Sequence, residues 1–339
     1  MKRIYIVLIS ILLSANVSAT SDIEQKDPYL TRTFPASSIK NVEASTAGGS
    51  ITVDGNASGE AVVDVFVTHS NWSEEKIKDE FEKNHTLELE VKNGKLYVIA
   101  KRKGPSFGSS LSISFRIKVP GNTNCELSTS GGSIRISDLS GTQNFRTSGG
   151  SLNIKNLSGT TSGRTSGGSI QVSGSSDKID LSTSGGSITA TDCTGDISLN
   201  TSGGSLNLKN LNGKINAATS GGSVTANDIT GTLKAGTSGG SMNLKSISGN
   251  LDARTSGGSM TVEMSLVSEY VQLSNSGRIE VSLPSGTGYQ LKIRGSKIET
   301  NNLRNFNGSM ETKSLEGTVL DGGPSINVST SQRVSLSFK

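Results

Sequence analysis

The chain has 339 residues, of which 41 are glycine and only 8 phenylalanine, 5 tyrosine and 1 tryptophan. Aromatics at 4% are too few for an ordinary globular core and argue against carbohydrate-binding platforms and base-stacking surfaces, although 32% apolar residues in a periodic pattern can still fill a thin, continuous core. The formal charge of +4 falls to about +2 once a leader carrying Lys2 and Arg3 is removed, which gives no reason to expect nucleic acid or acidic lipid as a partner.

Residues 1–19 read as a secretory signal peptide. Lys2 and Arg3 give a charged start, Ile4 to Leu13 form an apolar run too short to span a bilayer, and Val17-Ser18-Ala19 fits a small-residue cleavage site. No cysteine follows that site, which argues against a lipoprotein anchor, and no later segment approaches the length of a transmembrane helix. The expected location is the periplasm or the cell surface and beyond.

Residues 20–110 are expected to form an N-terminal cap of strands with one short helix. After an extended lead-in, Thr46-Ala47-Gly48-Gly49-Ser50-Ile51 is an early, imperfect copy of a phrase that dominates the chain later. Residues 59–70 alternate through Ala61, Val63 and Phe66 as a strand. Asn71-Trp72-Ser73-Glu74 has the spacing of a capping box and predicts a helix to about Lys83, with Ile77 and Phe81 on its apolar face. Residues 86–100 and 110–119 return to strand alternation. Such a region would cover the open end of a stack and hide its unpaired edge.

Residues 111–263 carry the main signal. Eight copies of Thr-Ser-Gly-Gly-Ser begin at Thr129, Thr147, Thr165, Thr183, Thr201, Thr219, Thr237 and Thr255, always 18 residues apart. A spacing that never slips gives each unit one geometric role in a quasi-one-dimensional stack. Numbering each unit from its Thr, positions 6 and 8 are apolar in all seven complete units, position 11 in six with Ser175 the exception, and position 15 in five. Polar residues fill the places between. This is the alternation of half-buried strands, around positions 6–8 and 14–18. Glycine at positions 3 and 4, and at position 13 in six of seven units with Asp177 the exception, marks two corners. The fold class is therefore all-β: a single-stranded β-helix, or β-solenoid, of right-handed coil, with stacked columns of Ser and Thr hydroxyls able to form ladders. Carrying the alternation on points the position 1 Thr inward; an outward Thr column would instead be a flat hydroxyl surface of the kind that binds ice or a crystalline polymer.

After Thr255 the spacing fails. Asn275-Ser276-Gly277-Arg278-Ile279 is a shifted copy, and Asn307-Gly308-Ser309-Met310 and Asp321-Gly322-Gly323-Pro324-Ser325-Ile326 read as further corners. Residues 264–339 are expected to be irregular final turns and a C-terminal cap, completing roughly twelve turns over about 60 Å.

Three stretches together carry a family resemblance: Leu111 to Pro120 (LSISFRIKVP), Leu127 to Ile134, and Tyr270 to Pro284 (YVQLSNSGRIEVSLP). The chain resembles the bacterial putative-adhesin family of β-strand repeats, the domain-of-unknown-function 4097 type, from about residue 40 to 335. The resemblance implies a single-stranded β-helix with a cell-surface or envelope role, and it brings no catalytic residues to carry over.

Residues with chemical potential are few. His69 and His85 flank the predicted helix, have no metal-ligand partner at suitable spacing, and read as surface or cap packing. The repeated Ser beside Gly lacks a base and an orienting group in each unit. Asp138, Asp192 and Asp228 share position 10, but other units place Asn156, Gly174, Asn210 and Ser246 there, which favours turn residues over cation sites. Arg146, Arg164 and Arg254 share position 18 and read as solvated surface. Cys125 and Cys193 sit four turns apart, about 19 Å at the rung spacing, beyond the roughly 7 Å a disulfide allows, so two buried free thiols are expected. No catalytic, cofactor-binding or metal-binding residue is assigned, and no cofactor. The expected function is an exported, non-enzymatic β-solenoid, an adhesin or envelope scaffold presenting a long polar surface to a glycan or other envelope component, with end-to-end or lateral self-association open. The alternatives are a carbohydrate-active β-helix enzyme (lyase or hydrolase) and a self-assembling filament.

Overall fold

The computed structural model describes residues 27–104 and 111–339. The leader expected at 1–19 lies outside these residues. The described chain is almost entirely strand, joined into one 26-stranded sheet that coils as a β-solenoid. No helix among the described residues is long and apolar enough to cross a membrane.

Each turn lays its residues directly on the equivalent residues of the turn before. Ile188 pairs with Leu206, Cys193 with Leu211 and Ile197 with Ile215; Leu206, Leu211 and Ile215 pair in turn with Val224, Ile229 and Leu233. Positions 6, 8, 11, 15 and 17 point into the lumen. In the turn from Ile188 they are Ile188, Ala190, Cys193, Ile197 and Leu199, none above 2% exposed. The alternation in sequence is thus an alternation between lumen and solvent. The apolar columns stack on one another, broken by the buried polar residues Gln143, Thr161 and Ser175, and each fully buried aliphatic side chain contributes about 1.5–3 kcal/mol.

Three backbone features, not two, bend each turn. At position 13 the glycines adopt φ between 93° and 132°, with Asp177 at 72°. At position 10, Asp138, Asn156, Gly174, Asp192, Asn210, Asp228 and Ser246 all lie in the left-handed region, with φ from 51° to 59°. Asp, Asn and Gly are the residues that tolerate that region best, which explains the mixture in this column. The Gly-Gly bend works differently, because neither glycine has a positive φ. A Cβ on Gly204, at position 4, would stand 2.0 Å from the carbonyl oxygen of Gly186 one turn below, whereas a Cβ on Gly203 would sit 3.6 Å from its nearest neighbour. Position 4 is glycine because successive backbones touch there.

The position 1 Thr faces inward. Its hydroxyl donates to the position 4 carbonyl of the preceding turn at 2.7–2.8 Å in all eight copies, from Thr129 on Gly49 to Thr255 on Gly240. The same oxygen accepts from a backbone N–H of its own bend, as Thr201 does from Gly204 at 3.3 Å. The expected hydroxyl-to-hydroxyl ladder does not form. In the position 1 and position 5 columns of the repeats the hydroxyls bond backbone instead; the Ser187 hydroxyl, for example, accepts from the N–H of Ser205.

Both ends of the stack are woven rather than simply terminated. The turn made by Asn41–Thr46 and Ile51–Asp54 lies between the later turn Lys95–Arg102 with Ser112–Lys118 and the turn Asn124–Thr129 with Ile134–Ser137. At the other end, Ser325–Thr330 and Arg333–Phe338 lie between the turn ending in Ile279–Leu283 and the turn Tyr289–Arg294 with Lys297–Asn301. One face of the stack therefore runs through thirteen parallel strands, from Ser112–Lys118 to Lys297–Asn301, about 60 Å at the sheet spacing. Antiparallel strands then cover the ends: Glu60–Thr68 with Leu30–Pro35, and His85–Lys92, at one; Ser314–Val319 with Phe306–Met310 at the other.

Some local expectations are corrected. The helix spans Glu74–Asn84 and buries Ile77 and Phe81, but its N-cap is Ser73, whose hydroxyl accepts from the N–H of Lys76, rather than Asn71. Ser73 stands directly before the first helical residue, where the free N–H groups are, and Asn71 is two residues too early. In the strand Glu60–Thr68 the inward residues are Ala61, Val63, Val65 and Val67; Phe66 points the other way, under the Arg116 guanidinium at 5.1 Å. Asn307-Gly308-Ser309-Met310 is no corner but part of the strand Phe306–Met310. Thr330-Ser331-Gln332-Arg333 is a bend the spacing did not reveal: Thr330 pairs with Asn275, and its hydroxyl bonds the Gly277 carbonyl.

Gly204→Ala is expected to destabilise the protein by more than about 2 kcal/mol and Gly203→Ala by less than about 0.5 kcal/mol, measured by chemical unfolding. Thr201→Val, which keeps shape but removes both hydroxyl bonds, is expected to cost about 1–2 kcal/mol in the same assay.

Candidate functional site

The alternation that sends position 17 and position 1 inward sends positions 18 and 2 outward. Between these two outward columns, across five successive turns, runs a groove of about 710 Å³ whose ends are marked by Ser128 and Ser130 at one side and Asn200 and Ser202 at the other. The buried Thr column forms its floor. The walls are hydroxyls and one amide, with two exceptions, Arg146 and Arg164. No carboxylate, histidine, cysteine or aromatic side chain lines it.

The position 18 column, followed through the pairing register, reads Ser128, Arg146, Arg164, Ser182, Asn200, Ala218, Gly236, Arg254, Ser274, Ser329 and Arg294. It holds no acidic residue. Arg146 and Arg164 are direct register partners. Arg146 donates from Nε to the Ser128 hydroxyl at 3.3 Å. Arg254 stands apart from them and is closed by Asp252, with Nε on Oδ1 at 2.9 Å and Nη2 on Oδ2 at 3.1 Å. The three arginines that share a sequence position therefore fall into two environments.

The remaining candidates are placed by packing. At position 10 the carboxylates accept from the next turn's amide: Asn156 Nδ2 donates to Asp138 at 2.8 Å and Asn210 Nδ2 to Asp192 at 2.6 Å. Among the described residues no group of three or more His, Cys, Asp or Glu is placed to hold a metal ion. His69 stacks on Trp72 with ring centroids 4.0 Å apart, and Lys76 lies over the same indole. His85 is buried at the end of the helix, stacked on Phe81. Burial holds its imidazole below the ordinary value, against a smaller opposing pull from the backbone at Glu80. The two helix-flanking histidines are thus not brought together with each other or with a carboxylate cluster.

The lumen itself holds a polar patch where position 15 departs from the apolar pattern. Gln143 and Thr161 occupy position 15 of neighbouring turns and are fully buried, directly above Cys125. Gln143 donates from Nε2 to the carbonyls of Thr123 and Ser140 at 3.0 and 3.2 Å. Its Oε1 and the hydroxyls of Thr123 and Thr161 have no partner among the described residues. Each such orphan costs about 1–3 kcal/mol, so this is the weakest stretch of the core.

No family model matches the chain, and no curated protein matches it. Among solved structures the chain is similar to a protein of Clostridium sporogenes ATCC 15579 described as a putative cell adhesion protein, at 10% identity, over 91% of this chain and 98% of that one, with a TM-score of 0.21. A likeness this slight leaves the function to be reasoned from the present chain's own geometry.

Both cysteines are buried and unpaired. Burial pushes the Cys125 thiol up to about 12 and also raises Cys193. Because the folded thiols titrate above their free value, their contribution to stability is complete below the ordinary thiol range and is lost as pH rises toward 12. Iodoacetamide at pH 8 is expected to leave both unmodified in the native protein and to label both in guanidinium chloride, read by intact mass. Modification of the native protein at the rate of free cysteine would contradict this burial.

Proposed function

We propose that this chain is an exported, non-enzymatic β-solenoid that acts as a rigid binding rod of the envelope or cell surface, holding an extended polymer along the groove between positions 18 and 2. The observation that carries the reading is the groove itself. It presents outward hydroxyls at a constant interval on a backbone fixed from within by the Thr and Gly columns. A linear partner of repeating chemistry is the kind of ligand that can use such a site along its length. Export is supported by the charged, apolar and small-residue segments of residues 1–19. The adhesin role is supported by the three stretches that resemble the β-strand-repeat family. A hydrolase or lyase would need a carboxylate or other base facing its substrate, and the groove lining offers none.

Ser148 and Ser166 are exposed on the groove wall, and Asn207 is exposed on another face of the stack. In Ser148→Trp/Ser166→Trp, retention of the purified protein on surface polysaccharide is expected to weaken at least about tenfold, with Asn207→Trp unchanged. Lack of retention on any envelope or surface material, or equal loss in the Asn207→Trp control, would refute the groove.

A further inference from the structure

We infer that the ligand of this groove is an acidic glycan, a hydroxylated chain bearing carboxylate, sulfate or phosphate groups, and that Arg146 and Arg164 grip its oxyanions. The inference rests on the groove being a polymer-binding site and adds the chemical class of the polymer.

Parallel in-register stacking puts Arg146 and Arg164 one rung apart, roughly 4.8 Å between backbones. Like charges directly opposite on neighbouring strands destabilise a sheet. Three other arginines near the bends are neutralised by a carboxylate. Arg254 is held by Asp252, Arg278 by Glu280 at 3.3 Å, and Arg333 by Glu299 at 3.5 Å. Arg254 also has Gly236 and Ser274 as its rung neighbours, so no second cation presses on it. Arg146 and Arg164 have no such relief. Among the described residues Arg146 hydrogen-bonds the Ser128 hydroxyl, and neither guanidinium forms an ion pair there. The acidic residues on the same outward face, Glu126 and Asp180, lie one turn below and one turn above the pair and bridge to neither. An anion lying between the two guanidiniums would remove their repulsion, and the planar fork of arginine suits the two oxygens of a carboxylate, sulfate or phosphate.

The rest of the wall decides what carries the anion. It consists of hydroxyls with the Asn200 amide, donors and acceptors that match sugar hydroxyls, and has no acidic residue of its own, although Glu126 lines the adjoining hollow beside both arginines and confines the anion to the side of the pair that faces the groove. It has no aromatic face for either a nucleobase or the apolar face of a sugar ring, which disfavours a single-stranded nucleic acid and means that a glycan would be held here by hydrogen bonds and charge alone, not on a stacking platform. Neighbouring turns also show what the site looks like without the charges, since Ser128 and Ser182 fill the same column position on either side.

The test uses purified full-length protein on immobilised polygalacturonate, dextran sulfate, uncharged dextran and single-stranded DNA. Polygalacturonate or dextran sulfate is expected to bind, dextran to bind at least about tenfold more weakly, and both acidic polymers to lose affinity as salt rises. The relative strength of the two acidic surfaces identifies carboxylate or sulfate as the preferred group. Arg146→Ser/Arg164→Ser, with an unchanged melting curve, is expected to weaken acidic-polymer binding on the order of tenfold to a hundredfold, and Arg254→Ser to leave it unchanged. Dextran binding as tightly as polygalacturonate, still blocked by Ser148→Trp/Ser166→Trp, would keep the groove and overturn its preference for anions. Equal binding of DNA, or full binding by the double arginine variant, would also overturn the assignment. Binding to none of the surfaces would overturn both this inference and the groove reading on which it rests.

Discussion

Everything in this molecule follows from the close contact between one Gly-Gly bend and the next. Where the position 4 glycine of a turn lies on that of the turn below, no room remains for even one methyl group, and the Thr hydroxyl ties the two backbones together at the same point. That contact can recur only if every turn spends the same number of residues returning to it. The 18-residue spacing is the sequence record of that geometric demand. The apolar columns are its consequence, because residues that return to the same place on each turn stack on their own equivalents. Core filling is tolerant by comparison: position 8 holds Ile154, Ala190 and Leu208 in different turns, all buried.

Much of this was legible because strand alternation has a strict period and the repeat fixes its phase. The five lumen columns and the inward Thr could be read in this way, as could the two unpaired thiols. The position 10 residues read as turn residues in the sequence, and they are; what the glycine corners alone do not show is that this turn is a third regular bend. A column of Asp, Asn, Gly and Ser that shares no chemistry shares a tolerance for positive φ, and that is what position 10 requires. Outside the repeats nothing fixes the phase: Phe66 does not share the inward face of Ala61 and Val63, and the Asn71-to-Glu74 spacing mimics a cap that Ser73 provides. The weaving of the two ends was beyond reach. The paired segments do match, as Glu43-Ala44-Ser45-Thr46 matches Glu126-Leu127-Ser128-Thr129, but with many like copies in the chain the likeness does not fix which one a strand lies on, and the pairings of Ala44 with Leu127 and Val281 with Leu336 skip the neighbour that sequence order would choose.

The groove was half visible. Arg146, Arg164 and Arg254 were recognised as one column, but not as two environments. The distinction lay two residues back, on the same outward face of each strand: Asp252 precedes Arg254, whereas Asn144 and Ser162 precede Arg146 and Arg164. Charge compensation in a β-solenoid is read along the strand and between neighbouring rungs together, and a column taken alone conceals it. The buried Gln143 and Thr161 are a related case. They interrupt an otherwise aliphatic column beneath the turns that hold the two arginines, so the least satisfied part of the lumen lies behind the most charged part of the groove.

The weaving of the C-terminal end sets an order of assembly. The turn Tyr289–Arg294 with Lys297–Asn301 is separated from the body of the stack by Ser325–Thr330 and Arg333–Phe338, which are made after it. Stacking by simple addition of turns in chain order cannot continue past Leu283. The layer of residues 289–301 has its inner parallel neighbour only when residues 325–338 are in place beneath it. A chain truncated before residue 325 would keep its regular middle and yet leave an open parallel edge, so the wedge that arrives last is also the seal that makes the rod finite.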